Sequence, residues 1–237
     1  MLKNLSKRST QEELMDDFKG SFSDLKVVFE DINRVNSILG GNHITINAVH
    51  QLIKENPKEH YTIVDMGCGD GKMLREIHKS CQKKGINITL IGIDLNADAL
   101  KIAQEFSVDF PEITYLHQDI LTLDTDNFDC DILVNTLTMH HFTDEQLKIF
   151  LSQFIKLAKI GVVINDLHRS RLAYYLFKLF SLAFIKTDTA KIDGLISISK
   201  GFIAKDLKRY AEKFSQVKHF IKWKWAFRYV WIMRANQ

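Results

Sequence analysis

The sequence contains few of the residues that characterise secreted, modular or membrane-spanning proteins. Its 237 residues include two prolines and three cysteines. Cys68, Cys81 and Cys130 are far apart and form no C-x-x-C pair, which argues against a disulfide framework or a zinc site and favours a reducing compartment. The longest apolar stretch, Arg171 to Phe184, includes Lys178 and falls short of the roughly 18 residues that a transmembrane helix requires. We therefore expect a cytoplasmic protein with no membrane span.

Repeats, low-complexity segments and interdomain linkers are also missing from the sequence. A hydrophobic fraction of 46% and a charged fraction of 26% are ordinary for a globular protein, and the chain is long enough to form one α/β domain without a metal or disulfide. The net charge of +3 says little about partners. Basic residues concentrate in Lys205–Arg209 and Lys218–Arg228, which fits a nucleic-acid surface or, more simply, the solvated faces of a helix and edge strands.

Short apolar runs alternate with segments of helical periodicity from residue 61 onward. Predicted strands cover Tyr61–Asp65, Thr89–Asp94, Thr114–His117, Phe128–Asn135 and Gly161–Asn165, and the helices between them cover Lys72–Lys83, Ala97–Phe106 and Glu145–Lys156. This alternation indicates parallel βαβ units with helices on both faces of the sheet. Apolar residues at three- and four-residue spacing predict two earlier helices, the first ending near Gly40 and the second covering Ile44–Glu55.

The last part of the chain has a different pattern. After a predicted helix at Ala204–Phe214, two strand-like runs, Val217–Trp225 and Phe227–Arg234, follow each other with almost no connection. A junction this short permits only an antiparallel pair, because a parallel crossover needs about a dozen residues or more. The sequence therefore predicts a mostly parallel sheet that ends in an antiparallel hairpin.

A glycine cluster stands where the first predicted strand of the sheet turns into a helix. Gly67, Gly69 and Gly71 follow Asp65 in the pattern D-x-G-x-G-x-G. The dinucleotide-binding pattern G-x-G-x-x-G is not met, because Lys72 occupies the position of its third glycine. Glycines in such a turn allow a ligand to approach the backbone closely.

This cluster resembles the first motif of class I S-adenosylmethionine-dependent methyltransferases, and the resemblance continues in order from Tyr61 to Leu167. In that family the sheet has seven strands and the last is antiparallel. The resemblance therefore implies a Rossmann-like α/β fold with helices on both faces and an N-terminal helical extension. It also implies that the loop Asp65–Gly71, including Cys68, binds S-adenosylmethionine, with S-adenosylhomocysteine as the product.

The resemblance implies further cofactor contacts at the ends of the next two strands. Asp94, followed by Leu95, would accept hydrogen bonds from the ribose hydroxyls, although an acid that begins a helix is the alternative. Asp119 resembles the acid that binds the adenine amino group, with Ile120 packed against the ring. A turn-forming aspartate is the alternative for this position.

Polar residues also stand at the end of the fourth predicted strand. The resemblance places the methionine end of the cofactor at Asn135 and Thr136. His140 and His141 follow directly and are candidates for a general base or a substrate-positioning group, or have a structural role only.

The segment Asn165–Arg169 follows the fifth predicted strand and is unusually polar for this fold. His168 is a candidate to deprotonate a hydroxyl, and Arg169 to bind an acidic or phenolate oxygen. The alternative is an Asp166–Arg169 pair that only fixes the loop. No cluster in the sequence has the spacing of metal ligands, and no metal is expected.

Two segments after the fifth predicted strand are candidates to surround the methyl acceptor. Arg171–Phe184 predicts either a buried helix or a lid over an aromatic or fatty acceptor, and Leu195–Phe202 would close the same pocket. The blocks Glu12–Asp17, Asp31–Asn36 and Leu39–Gly41 resemble a bacterial subgroup of these enzymes that is found among polyketide and phenolic-lipid biosynthetic proteins.

We predict one methyltransferase domain over residues 1–237. Its parts are a helical cap (1–56), a cofactor-binding core (57–170), a lid over the acceptor (171–202), and a C-terminal helix with antiparallel strands (203–237). A monomer or homodimer would methylate an oxygen or activated carbon of a small aromatic or polyketide-like molecule, and would not bind nucleic acid. The alternatives are an RNA or protein methyltransferase, a non-catalytic binding module with the cofactor fold, and a nicotinamide-dependent oxidoreductase.

Overall fold

The computed structural model describes residues 3–123 and 128–235, so the predicted domain limits at residues 1 and 237 lie outside the described residues. The strands of this part of the chain are β1 (His60–Met66), β2 (Asn87–Asp94), β3 (Ile113–His117), β4 (Ile132–Thr136), β5 (Gly161–Leu167), β6 (Val217–Lys224) and β7 (Arg228–Ala235). They form one sheet in the order β3-β2-β1-β4-β5-β7-β6. β7 alone runs antiparallel, paired with β5 on one side and β6 on the other.

Helices cover both faces of this sheet. They are α1 (Phe22–Ile38), α2 (Gly41–Glu55), α3 (Lys72–Gln82), α4 (Ala97–Phe106), α5 (Asp144–Leu157), α6 (Arg171–Phe184), α7 (Asp188–Lys200) and α8 (Ala204–Ala211). Capping residues mark the start of several helices. At the start of α5, the hydroxyl of Thr143 accepts a hydrogen bond from the backbone N–H of Gln146, and the side chain of Gln146 accepts one from the backbone N–H of Thr143.

Two apolar layers hold the helices against the sheet. On one face, α2 and α3 pack residues such as Leu52, Leu74 and Ile77 against β1. On the other face, α5 and α8 pack against β4, β5 and β7 through a layer that includes Phe150 and Trp231, both fully buried. Truncating a buried aromatic such as Phe150 to alanine should cost about 3–5 kcal/mol, so this layering accounts for much of the fold's stability.

The predicted fold class is confirmed, with differences at individual elements. β4 begins at Ile132 rather than Phe128. Just before it, the side chain of Asp131 accepts the hydrogen bond from the backbone N–H of Thr62 that a backbone carbonyl would accept within the strand pair. Residues 124–127 lie outside the described residues. Leu195–Phe202, which had no assigned element, is mostly the end of helix α7. α2 begins at Gly41, since Gly40 adopts a left-handed conformation with φ 68° before it. Across the described residues, no helix has both the length and the apolarity to cross a membrane.

Candidate active site

The carboxyl ends of the parallel strands open into one cavity of about 960 Å³. The chain order reverses between the neighbouring strands β1 and β4, which is the position where open α/β sheets bind ligands. The cavity is at the upper end of the roughly 300–1,000 Å³ typical of small-molecule sites, so it has room for two ligands side by side.

The loop between β1 and α3 forms one wall of this cavity. Gly67 and Gly69 line it with φ angles of 77° and 53°, a region that favours glycine. A Cβ atom at Gly69 would lie 3.1 Å from Cε1 of Phe29, so a side chain there would crowd that ring. Cys68 also lines the cavity, and burial raises the pKa of its thiol well above the usual value. Gly71 immediately precedes α3, also with a positive φ of 74°.

Asp94, at the end of β2, fixes the glycine loop from the side. Its Oδ2 accepts the backbone N–H of Gly69 at 2.8 Å, and its Oδ1 accepts that of Asn96 at 2.9 Å. Burial raises the pKa of Asp94, although the backbone hydrogen bonds act in the opposite direction. Each carboxylate oxygen has a second lone pair, so Asp94 retains capacity to accept hydrogen bonds from a ligand in the cavity.

Asp65, at the end of β1, is a second buried carboxyl group beside the loop. Its Oδ1 has no hydrogen-bond partner among the described residues. Burial, with Asp94 and Asp70 nearby, raises the pKa of Asp65 well above its usual value. A positively charged ligand group near Asp65 would favour its ionised form, so this part of the cavity suits a cation.

The predicted adenine side of the cavity is lined by Leu95, Asp119 and Ile120. Leu95 is 63% exposed, whereas Ile120 is buried. The carboxylate of Asp119 accepts the backbone N–H of Leu121 at 2.8 Å and so begins a short 3-10 turn. Asp119 therefore acts as a turn-forming residue, which was the alternative reading, while it also borders the cavity.

The two polar residues at the end of β4 have different surroundings. Thr136 lines the cavity, and its hydroxyl lies 3.0 Å from that of Thr45 in α2. Asn135 is fully buried and donates from Nδ2 to the carbonyl of Met66, which joins the ends of β4 and β1. The side chain of Asn135 therefore positions the loop after β1, and its predicted cofactor contact stays a prediction.

His140 lies in the short turn after β4 and has a carboxylate on each side. Its Nδ1 is 2.7 Å from Oδ1 of Asp166, and its Nε2 faces Oε1 of Glu13 at 3.5 Å. Burial alone would lower the pKa of His140, but Asp166 and Glu13 raise it to about 9. A histidine that is protonated at neutral pH does not accept a proton from an acceptor molecule, so a role as general base is disfavoured.

Glu13 and Asp16 reach the cavity from a segment to which the sequence analysis assigned no site residue. His141 places Nε2 3.7 Å from Oε2 of Glu13 and Nδ1 3.2 Å from Oδ1 of Asp16. Lys200, at the end of α7, is buried with its Nζ 3.2 Å from Oε1 of Glu13. Burial alone would raise the pKa of Glu13, but the facing histidines and Lys200 hold it far below its usual value. We call Glu13, Asp16, His140, His141, Asp166 and Lys200 the Glu13 cluster.

Several hydrogen bonds hold the N-terminal segment over the cavity. The backbone N–H groups of Leu14 and Met15 donate to the carboxylate of Asp193 in α7, at 2.7 and 3.0 Å. Arg8 donates to the carbonyls of Lys200, His140 and Phe142, each at 2.9 Å. This anchoring places Glu13 opposite the two histidines.

His168 and Arg169 are displaced from the roles that their sequence positions suggested. The ring of His168 accepts from Nε1 of Trp223 at 3.3 Å and lies edge-on to Tyr229, among residues of the β6–β7 hairpin rather than in the cavity lining. Arg169 is buried and donates to the carbonyl of Gly201 at 2.7 Å and to Asp206 at 3.1 Å. The alternative, an Asp166–Arg169 pair, is not what the structure has, since Asp166 contacts His140 and Arg169 contacts Asp206. Arg169 thus joins β5 to the start of α8.

The remaining wall of the cavity is mostly apolar, with Asp193 and Ser197 of α7 as polar members. α6 contributes Ala173, Leu176, Phe177 and Phe180, α7 contributes Ala190, Gly194 and Ile198, and the β6–β7 turn contributes Trp225 and Phe227. The opposite face of α6 is exposed, with Leu179 at 68% exposure. α6 is therefore not a fully buried helix, and one of its faces borders the cavity.

One charged residue of this wall was not anticipated. Arg228 is buried, lines the cavity, and donates from Nη2 to Oδ1 of Asn36 at 2.6 Å. Its Nη1 has no hydrogen-bond partner among the described residues, and burial lowers its pKa to about 10. A buried guanidinium with so few partners favours an anionic or strongly accepting group nearby.

Known proteins are similar to this chain in its central part. A family model described as a methyltransferase domain matches residues 63–161. The carboxy-S-adenosyl-L-methionine synthase of Campylobacter hominis is 33% identical over 88 residues, which are 37% of this chain and 36% of that protein. A ribosomal RNA small subunit methyltransferase H of Clostridium botulinum is 34% identical over 83 residues, 35% of this chain and 26% of that protein. These curated relatives are matched over about a third of their length or less.

Solved structures match over most of the chain. The plantazolicin methyltransferase BpumL, in complex with a monoazolic desmethylPZN analog and SAH, matches with a TM-score of 0.68 at 14% identity. The match covers 94% of this chain and 93% of the BpumL chain. The magnesium protoporphyrin IX methyltransferase of Synechocystis PCC 6803 with bound SAM has a TM-score of 0.56 at 12% identity, with coverages of 88% and 84%. At these identities the similarity concerns the fold alone, and it agrees with the sheet order described above.

Proposed function

We propose that this chain, which carries a class I S-adenosylmethionine-dependent methyltransferase domain over residues 63–161, methylates an oxygen or activated carbon of a small aromatic or hydrophobic molecule. The observation that carries this proposal is the division of a single cavity into two parts. Polar groups at the strand ends line one part, and apolar side chains of α6 and α7 line the other.

The polar part suits S-adenosylmethionine. When bound, this cofactor supplies a methyl group on a positively charged sulfur. Asp94 would accept from the ribose hydroxyls with the lone pairs that the backbone leaves available, and Gly69 would let the ligand lie against the main chain. Asp65, whose Oδ1 has no hydrogen-bond partner among the described residues, would ionise beside the cationic part of the ligand and so attract it. Asp119 and Ile120 would border the adenine, and Thr136 the methionine part.

The apolar part suits the acceptor. Phe177, Phe180 and Ile198 would pack against a ring, and the buried Arg228 would bind an acidic or phenolate oxygen, the role that Arg169 does not fill here. The chain's main contribution to the reaction is then alignment of two bound molecules and exclusion of water, to which the anchored N-terminal segment contributes.

An RNA substrate is the second candidate, because one relative is a ribosomal RNA methyltransferase. The described residues of α6 and α7 that line the cavity are apolar apart from Asp193 and Ser197, and none is basic. RNA-binding enzymes need basic side chains around their entrance to neutralise phosphates. The small-molecule acceptor is therefore favoured.

The test is transfer of labelled methyl from S-adenosylmethionine to a panel of phenolic and polyketide-like molecules, with total RNA in parallel. A matched pair on α6 locates the acceptor: Phe177→Ala, in the cavity wall, should raise the KM for the acceptor by about tenfold, whereas Leu179→Ala, on the exposed face, should not change it. Label that enters RNA and no phenolic molecule would overturn the proposal, and equal effects of the two α6 variants would move the acceptor elsewhere.

A further inference from the structure

The Glu13 cluster contains three metal-binding side chains whose ligand atoms converge. One ligand atom each from Glu13, His140 and His141 lies within 4.8 Å of the others. We propose that these three residues bind a divalent first-row transition metal ion. Two imidazoles and one carboxylate form a common ligand set for zinc and iron, and imidazole disfavours magnesium and calcium.

The Nε2–Oε distances within this set are longer than ordinary hydrogen bonds. Nε2 of His140 is 3.5 Å from Oε1 of Glu13, and Nε2 of His141 is 3.7 Å from Oε2. Hydrogen bonds between nitrogen and oxygen are about 2.7–3.2 Å long. Metal–ligand bonds of about 2.0–2.1 Å place tetrahedral ligand atoms roughly 3.3 Å apart. The two Nε2–Oε distances are close to that value, whereas the ligand-atom separations of up to 4.8 Å require the side chains to move closer together when an ion binds.

Nε2 of His140 is buried without a hydrogen-bond partner among the described residues, whereas Oε1 of Glu13, which faces it, has the ammonium group of Lys200 at 3.2 Å. Both residues are at least nine-tenths buried, with His140 at 2% exposure and Glu13 at 7%. Polar atoms in such positions carry a desolvation cost unless something binds them. A metal ion would bind Nε2 of His140 in place of a proton and would also contact the carboxylate of Glu13.

The outer contacts are those that metal-ligating side chains usually have. Nδ1 of His140 is 2.7 Å from Asp166 and Nδ1 of His141 is 3.2 Å from Asp16, so a carboxylate orients each ring with Nε2 toward Glu13. Glu13 in turn is held by the hydroxyl of Ser197, which donates to Oε2 at 2.9 Å. Lys200 contacts the other oxygen, at 3.2 Å.

Glu13, His140 and His141 all line the cavity. Three protein ligands leave at least one coordination position for another molecule, as in catalytic rather than purely structural sites. If the proposed function holds, this position would bind the acceptor's oxygen and lower the pKa of its hydroxyl, which removes the need for a histidine base. The binding of the ion itself does not depend on that role.

The test uses the full chain after dialysis against a chelator, titrated with Co²⁺ while the visible absorption of the ion is recorded, and with Zn²⁺ by calorimetry. We expect one ion per chain. His141→Ala should weaken binding about a hundredfold, since it removes a ligand from a partly exposed position. Glu13→Gln should have a similar effect with little change of shape. His60→Ala, at an exposed histidine remote in sequence from the cluster, is the matched control and should bind as the unaltered chain does.

Circular dichroism of each variant checks that it is folded, and Glu13→Gln provides an independent result if His141→Ala is not. Absence of one tightly bound Co²⁺ or Zn²⁺ per chain would overturn the proposal, as would equal affinity of folded His141→Ala and His60→Ala. The titrations contain neither cofactor nor acceptor, so their failure would leave the methyl-transfer assays standing, and failure of those assays would leave the metal site standing.

Discussion

Asp94 allows the sharpest test of the cofactor site. In Asp94→Ala the ribose would lose a charged acceptor, and hydrogen bonds to charged groups are worth about 1.5–3 kcal/mol. At 1.4 kcal/mol per factor of ten, affinity for S-adenosylhomocysteine should fall roughly ten- to 150-fold. The loop should contribute to the loss, because the backbone N–H of Gly69 would no longer have its acceptor at 2.8 Å. Burial raises the pKa of Asp94, so its ionised form is poorly solvated and its removal should cost little stability.

Two further variants separate charge from shape in this test. Asp94→Asn keeps an oxygen for the backbone N–H of Asn96 but turns an NH₂ group toward the N–H of Gly69, so its affinity should also fall. Asp98→Ala removes an exposed carboxylate that accepts a hydrogen bond from Lys101 and does not line the cavity, so this variant should bind normally. Calorimetry with S-adenosylhomocysteine measures all three variants. Binding by Asp94→Ala within about twofold of the unaltered chain would refute the ribose contact.

Three other outcomes are expected. Gly69→Val should abolish binding of S-adenosylhomocysteine, since it puts a branched side chain at φ 53° and against Phe29; a folded variant that binds normally would contradict the loop assignment. His168→Ala should retain most of the methyl-transfer activity, because the ring packs against the β6–β7 hairpin. A roughly hundredfold loss of kcat in a variant that binds S-adenosylhomocysteine normally would indicate that His168 is the base after all. Cofactor affinity should stay constant near neutral pH and weaken in acid as Asp94, whose pKa is raised by burial, takes up a proton and loses acceptor capacity; calorimetry at about pH 7 and about pH 4 checks this, and equal affinities would count against it.

The sequence by itself determined the sheet and its glycine loop. Apolar runs and helical periodicity in the sequence show which segments form strands and helices, and they also give the positions of the strand ends. Asp94 and Thr136 could therefore be placed at the ligand-binding edge of the sheet from the sequence, and both line the cavity. The antiparallel β7 followed from the length of one turn. These inferences succeed because they depend on neighbours in the chain.

Tertiary structure alone decided the composition of the Glu13 cluster and the fate of the residues after β5. Glu13 belongs to a segment without regular structure, and its position depends on contacts such as that between Leu14 and Asp193, 179 residues apart in sequence. His168 and Arg169 stand where a ligand edge is expected, but β6 and the start of α8 provide partners that draw both side chains away. Such contacts follow from how finished elements pack, and no periodicity in the sequence encodes them.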